Sequence, residues 1–149
     1  MTDNVEVLFA KLDENAIAPT QGSKSAAGWD LRALDATEVF KGKSTKIRTG
    51  LVVAIPDGWG GQIRSRSSLG AKGMIMPNGV GTIDSDYRGE LMVLATWIGE
   101  GDSIKLAKGE RIAQMLIAPV PNTTYREVSL ETLSKTERGE GGFGSSGRF

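Results

Sequence analysis

Apolar residues recur along this chain in short, alternating runs, and no stretch carries the 3.6-residue spacing and end caps of a long amphipathic helix. Val5, Val7 and Phe9 alternate imperfectly with Glu6 and Leu8, which predicts a first strand. Further strands are predicted over Thr45–Arg48, Leu51–Ile55, Trp59–Arg64, Leu91–Trp97, Ser103–Leu106 and Ile112–Val120. Pro56-Asp57-Gly58 and Pro77-Asn78-Gly79 read as turns, with proline fixing φ and glycine tolerating φ > 0. Gly81–Glu90 reads as a β-hairpin: Ile75, Val80 and Ile83 lead in, a compact polar tip follows, and Leu91, Met92, Val93 and Leu94 lead out. Helix is confined to one turn over Ser67–Lys72, with Ser67 as its cap, and another over Ser129–Ser134. The pattern predicts an all-β protein.

Composition narrows the chemistry. Twenty glycines in 149 residues is about twice the roughly 7% of average proteins, and they punctuate the strand-like runs. The chain has neither cysteine nor histidine. Disulfides, thiolate nucleophiles, Ser-His triads and the usual transition-metal ligands are therefore excluded. Any hydrolysis has to run on carboxylates, hydroxyls, Lys and Arg, and a hard cation that accepts oxygen ligands. Lys plus Arg and Asp plus Glu both number 18, so no global basic field points to nucleic acid. Met1–Glu6 is polar and acidic, and no apolar run is long enough to span a bilayer. The expectation is a cytoplasmic protein without membrane or direct nucleic-acid partners. Its length suits one domain with a sizeable core.

The one compositional break is Arg138–Phe149, with five glycines, two serines and two arginines. This tail buries too little apolar surface to fold alone and is expected to be mobile. It reads either as a plain flexible terminus or as a phosphate cradle, in which bare amides and Arg138 meet the anion and Phe143 stacks on a flat ring. Arg64-Ser65-Arg66-Ser67-Ser68-Leu69-Gly70 is a second phosphate candidate or, equally, a solvated basic turn. Ala26–Arg32 places small residues around Asp30, which suits close backbone approach or an ion pair in a packed strand. In Gly109–Met115, Gln114 is an amide among apolar neighbours and needs partners if buried. The Gly81–Glu90 tip adds Asp84, Asp86 and Tyr87.

Taken in order, five of these segments resemble the motifs of the trimeric deoxyuridine triphosphatases (dUTPases). They are Ala27–Ala33, Arg66–Leu69, Asn78–Gly89, Gly109–Gln114 and Arg138–Gly147, and the likeness extends over nearly the whole chain. The resemblance implies a jelly-roll-like β-barrel with at most one or two short helices, formed by residues 1–137, and a mobile Gly-rich tail, 138–149, that closes over the active site. It also implies a homotrimer with shared active sites and Mg²⁺-dependent hydrolysis of dUTP to dUMP and pyrophosphate. That activity keeps uracil out of DNA and supplies dUMP for dTMP synthesis.

Roles follow residue by residue from the same resemblance. Asp84 would activate the water that attacks the α-phosphorus. Tyr87 would pack on deoxyribose and exclude a 2′-hydroxyl. Asn78 and the backbone around Gly81 and Ile83 would read uracil. Arg66, Ser67, Gln114 and Arg138 would hold phosphates, with Ser68 and, in the tail, Gly144 and Ser145 as further substrate-binding residues. Phe143 would stack on the base, and Asp30 would reach Mg²⁺ through water. Asp86 is expected to stabilise the turn or to form an ion pair.

Trp29 stands where the family more often has Tyr or Phe, Ser65 where it has Pro, and Trp97 near a common Asn. None is a proposed catalytic group. The related dCTP deaminases share an Arg-Ser-Ser-Leu-Gly segment, but they need a glutamate as proton shuttle where this chain has Leu94. Leucine cannot shuttle protons, which argues against deamination. A repressor- or partner-binding regulatory role, known for some phage dUTPases, is the alternative from a different class.

Overall fold

The computed structural model describes residues 4–149; of the polar N-terminal segment Met1–Glu6, residues 1–3 lie outside the described residues. Among the described residues, twelve strands, one short α-helix and one 3-10 turn make up the regular structure. In order they are β1 (Leu8–Lys11), β2 (Thr20–Gln21), β3 (Trp29–Arg32), β4 (Thr37–Phe40), β5 (Thr45–Arg48), β6 (Leu51–Ala54) and β7 (Trp59–Ser65). Helix α1 (Ser67–Lys72) follows, then β8 (Met74–Ile75), β9 (Gly81–Ile83), β10 (Met92–Trp97), β11 (Ser103–Leu106) and β12 (Arg111–Pro119). A single 3-10 turn, Leu130–Thr132, replaces the second predicted helix. The architecture is all-β and of the jelly-roll type.

All paired strands run antiparallel. A five-stranded sheet has the order β2-β3-β12-β7-β9, and β5-β10-β8, β1-β6 and β11-β4 form smaller ladders. Alternation decides which face each strand buries. Leu51 and Val53 of β6, Val93, Ala95 and Trp97 of β10, and Ile63 of β7 point inward, where they meet Leu31, Val39, Ile47, Leu91 and Ile112. Each fully buried Leu or Ile contributes roughly 1.5–3 kcal/mol. The Pro-Asp-Gly and Pro-Asn-Gly turns form as predicted. The Trp59 amide donates to the Pro56 carbonyl at 3.1 Å and the Gly79 amide to Met76 at 2.9 Å. Gly58 and Gly79 take φ of 83° and 71°, which disfavours any residue with a β-carbon.

Three expectations need correction. The first strand lies at Leu8–Lys11, not over Val5–Phe9; Val5 and Val7 are half-buried with Glu6 exposed between them, so the alternation reports packing without a ladder. Ser67 does not cap α1: the cap position is Arg66 in extended conformation, and no side chain bonds the free amides. Gly81–Glu90 is not a ladder-paired hairpin. Its entry strand β9 pairs with β7, whereas its exit strand β10 pairs with β5 and β8. The two legs therefore belong to different sheets, and the polar segment between them bridges those sheets as a loop.

Past β12 the chain leaves the barrel. Residues 121–140 and 143–149 are all exposed, with Tyr125 98% and Leu130 79% accessible.

Candidate active site

The bridging loop walls a cavity of about 430 Å³ lined by Asn78, Gly81, Thr82, Ile83, Asp84 and Tyr87, with Lys46, Ile63, Glu90, Met92 and Leu94 completing it. The register of β9 on β7 sets its floor, pairing Gly61 with Ile83 and Ile63 with Gly81. Ile83 and Gly81 are buried while Thr82 and Asp84 are exposed, so alternation along β9 turns the Asp84 carboxylate outward at the strand's end. The loop closes locally. The Tyr87 amide donates to the Asp84 carbonyl at 3.1 Å, the Tyr87 hydroxyl donates to the Glu90 carbonyl at 2.9 Å, and Arg88 Nη1 donates to the Ser85 carbonyl at 2.7 Å. Asp86 has no hydrogen bond or ion pair of its side chain among the described residues. Turn stabilisation falls instead to Arg88 and Tyr87, because both reach backbone carbonyls that Asp86, an acceptor, cannot serve.

A second cavity, about 230 Å³, shares no residue with the first and is lined by Gly22, Ala26, Gly28, Asp30, Arg66, Ser67, Arg111 and Gln114. Three predicted segments converge here because β12 lies between β3 and β7. Gln114 pairs with Asp30 on one side and with Arg64 on the other. Its Nε2 donates to the Ser65 carbonyl at 3.1 Å, which answers the need for a partner and leaves the amide oxygen free to accept. Arg66 Nε stands 3.4 Å from Asp30 Oδ1 and Arg111 Nη1 stands 3.6 Å from Oδ2.

Arg111 is a residue the sequence reading leaves out of its candidates. In a regular strand Arg111 and Gln114, three apart, would face opposite sides. A register shift between Arg111 and Ala113 supplies an extra residue, and such a bulge re-aims side chains. Arg111 then opposes Arg32 and Gln114 opposes Asp30, so both lie on the Asp30 face. Ile112 and Ala113, adjacent apolar residues in the sequence that the structure buries together at 1% and 0% exposure, are the signal that could have revealed the bulge.

The remaining candidates lie elsewhere. Ser68 is exposed on α1 and lines neither cavity. Arg138, Phe143, Gly144 and Ser145 sit in the exposed tail, where Arg138 Nε donates to the Gly141 carbonyl at 2.7 Å and Phe143 is wholly exposed with φ of 50°. The structure therefore brings the predicted residues together in two groups and leaves the tail in neither.

For Mg²⁺ the donor set fits a cation that arrives with its ligand. No cluster of three or more acidic residues stands among the described residues, but Mg²⁺ characteristically takes one or two carboxylates together with substrate phosphates. Asp30, the one carboxylate lining the arginine-rich cavity, is placed for that. Among the described residues, no helix is long and apolar enough to cross a membrane.

Comparison with known proteins gives the same direction. The dUTPase family profile matches residues 14–147. A deoxyuridine 5′-triphosphate nucleotidohydrolase of Nautilia profundicola is 45% identical over 145 residues, 97% of this chain and 100% of that protein. Among solved structures, a Staphylococcus bacteriophage 80alpha dUTPase with dUPNHPP is 29% identical with a TM-score of 0.84, over 96% of this chain and 99% of that one. The dUTPase of S. aureus phage phi11, 22% identical with a TM-score of 0.74 over 85% of this chain and 99% of its own, shares the fold, and that protein coordinates a structural Mg(II) ion. On the extent of these matches, the chain belongs to the dUTPase family.

Proposed function

We propose that this protein hydrolyses dUTP to dUMP and pyrophosphate in the cytoplasm, limiting uracil in DNA and supplying dUMP. The observation that carries the reading is an exposed carboxylate, Asp84, beside the Tyr87 ring in one cavity, with Arg66, Ser67, Arg111 and Gln114 gathered in a second. A nucleoside and a charged phosphate chain need those two environments.

Asp84 orients a water and takes its proton as the oxygen bonds to the α-phosphorus; the bond to the bridging oxygen breaks and pyrophosphate leaves. Asn78 and the backbone at Gly81 and Ile83 read the uracil edge, and Tyr87 covers the deoxyribose. Arg66, Arg111, Ser67 and Gln114 hold the phosphates by charge and hydrogen bonds, with Ser68 beside them on α1. Asp30 would hold Mg²⁺ through water, and the ion supplies neutralisation of the triphosphate's charge.

The working unit in this reading is a homotrimer with shared sites. Its support is that the two cavities share no residue and that Arg138, Phe143, Gly144 and Ser145 reach neither on their own chain. Support also comes from the arm past β12, which holds Tyr125, Leu130 and Leu133 in solvent, an arrangement favoured only where another surface covers it. The tail, 138–149, then closes over bound substrate, with Arg138 on phosphate and Phe143 on uracil. A second, partner-binding role takes its support from the phage relatives, which control transfer of virulence genes by a G protein-like mechanism.

Turnover of dUTP, dCTP, dTTP and UTP with Mg²⁺ in ¹⁸O-labelled water tests the proposal. Selective cleavage of dUTP with label in dUMP is expected. Label confined to pyrophosphate places the attack elsewhere and overturns the mechanism.

A further inference from the structure

Two residues outside all five motifs hold the exit of the bridging loop. Thr49 is the one polar side chain in the buried core among the described residues, 1% exposed. Its hydroxyl donates to the Leu91 carbonyl at 2.7 Å and accepts the Leu51 amide at 3.2 Å, while the Leu91 amide donates to the Leu51 carbonyl at 2.8 Å. One residue earlier, Arg48 grips the Glu90 carboxylate with two nitrogens: Nη2 lies 2.9 Å from Oε1 and Nε 3.1 Å from Oε2. The Glu90 side chain is 9% exposed and the Arg48 side chain 50%, so the pair lies at the surface and its two-pronged geometry, not burial, fixes the Glu90 side chain. Its contact holds the Arg48 guanidinium above its ordinary pKa through the Glu90 hydrogen bonds and charge. The ladder continues the grip, with Met92 opposite Arg48. Glu90, Leu91 and Met92 are thus fixed in succession by Arg48 and Thr49.

Tyr87 depends on that anchorage. Its hydroxyl donates to the carbonyl of Glu90, the same residue that Arg48 grips. The ring crosses Gly89 so closely that a β-carbon there would overlap the phenol. Ring orientation therefore follows the backbone at Gly89 and Glu90, and that backbone follows Arg48 and Thr49.

We propose that Arg48 and Thr49 are positioning residues that fix the Tyr87 ring against the sugar and thereby set the discrimination between dUTP and UTP. This rests on the reading of Tyr87 as the sugar gate. Rejection of one added hydroxyl is hard for a pocket without a dedicated hydrogen bond. It requires a wall that does not yield, and a ring tethered to a loosened loop yields.

The test compares kcat/KM for dUTP and UTP in full-length Arg48→Met, Arg48→Lys, Tyr87→Phe and Tyr87→Ala proteins, with melting temperature alongside. Arg48→Met is expected to lower the dUTP-to-UTP ratio about ten-fold, through gained UTP turnover, with kcat on dUTP within about three-fold of the parent. Arg48→Lys keeps the charge without the fork and is expected to fall between. Tyr87→Phe, which removes only the tethering hydroxyl, is expected to lose a similar part of the ratio, and it keeps the test decisive should Arg48→Met fail to fold. A purely structural ion pair would shift the melting temperature and leave the ratio alone, so a parental ratio in Arg48→Met or Tyr87→Phe overturns the proposal. If Tyr87→Ala keeps the parental ratio, the sugar-gate reading itself is wrong and the proposal goes with it. A ratio lost in Tyr87→Ala but kept in Arg48→Met refutes the positioning role alone.

Discussion

Gly28 lies directly against the Gln114 side chain: a β-carbon at residue 28 would overlap the Gln114 amide oxygen and stand 3.0 Å from its Cβ. Because the crowding reaches Cβ as well as the flexible end, rotating the amide cannot relieve it all. Gly28 is thus what lets Gln114 keep its bond to the Ser65 carbonyl while facing the arginine-lined cavity.

Gly28→Ala is therefore expected to destabilise by about 1–3 kcal/mol, the usual range for overpacking, and to raise KM for dUTP. The double variant Gly28→Ala with Gln114→Ala removes the amide overlap but keeps the Cβ contact at 3.0 Å, so it is expected to recover part of the stability but not the KM. Thermal melts and steady-state kinetics of the four proteins in this cycle measure the coupling. Additive stability losses would contradict the contact.

Asp84→Asn keeps the shape of the cavity wall and removes the proposed proton acceptor. It is expected to lower kcat by at least about 10²-fold with little change in KM. Single-turnover kinetics with dUTP binding measured separately check the split. Near-parental turnover would take Asp84 out of the mechanism.

How far the sequence alone reached differs between the cavities for physical reasons. Asp30, Arg66, Ser67 and Gln114 could be named because each lies in a segment whose residue order resembles a family motif, and the fold brings them to one cavity. Arg111 escaped because period-two alternation assumes no extra residue, and the bulge beside it breaks that assumption. The strands Thr45–Arg48 and Ser103–Leu106 were legible to the residue. The two-residue strands Thr20–Gln21 and Met74–Ile75 are too short to show any period. Alternation marks a strand but not its partner, so the legs of the Gly81–Glu90 segment read as a hairpin although each pairs in a different sheet. Arg48 and Thr49 carried no signal, since their role exists only through Glu90 and Leu91, about forty residues on.

Deleting residues 138–149 is expected to abolish most activity and leave the barrel folded and trimeric. No residue of that segment belongs to the buried core, and Phe143 and Phe149 are wholly exposed. Circular dichroism, size exclusion and dUTP turnover of the truncated chain check the division. A truncated protein that unfolds or dissociates would show that the tail supports the barrel.

Asp30 sits between Arg66 and Arg111 at 3.4 and 3.6 Å, one guanidinium toward each carboxylate oxygen. Those separations are long for strong hydrogen bonds, and the Arg111 side chain is 46% exposed, so the Arg111 pair adds little stability, in line with the ~0–1 kcal/mol of exposed pairs. Arg111 can therefore turn to an incoming anion without a large penalty. Arg111→Met is accordingly expected to leave the melting temperature nearly unchanged while raising KM for dUTP about ten-fold, with a weaker dependence of KM on salt. Inhibition by dUMP separates the phosphate chain from the nucleoside. If Arg111 holds the phosphates that leave as pyrophosphate, the dUMP inhibition constant should stay within about two-fold of the parent. An equal loss for dUMP would place Arg111 at the α-phosphate instead.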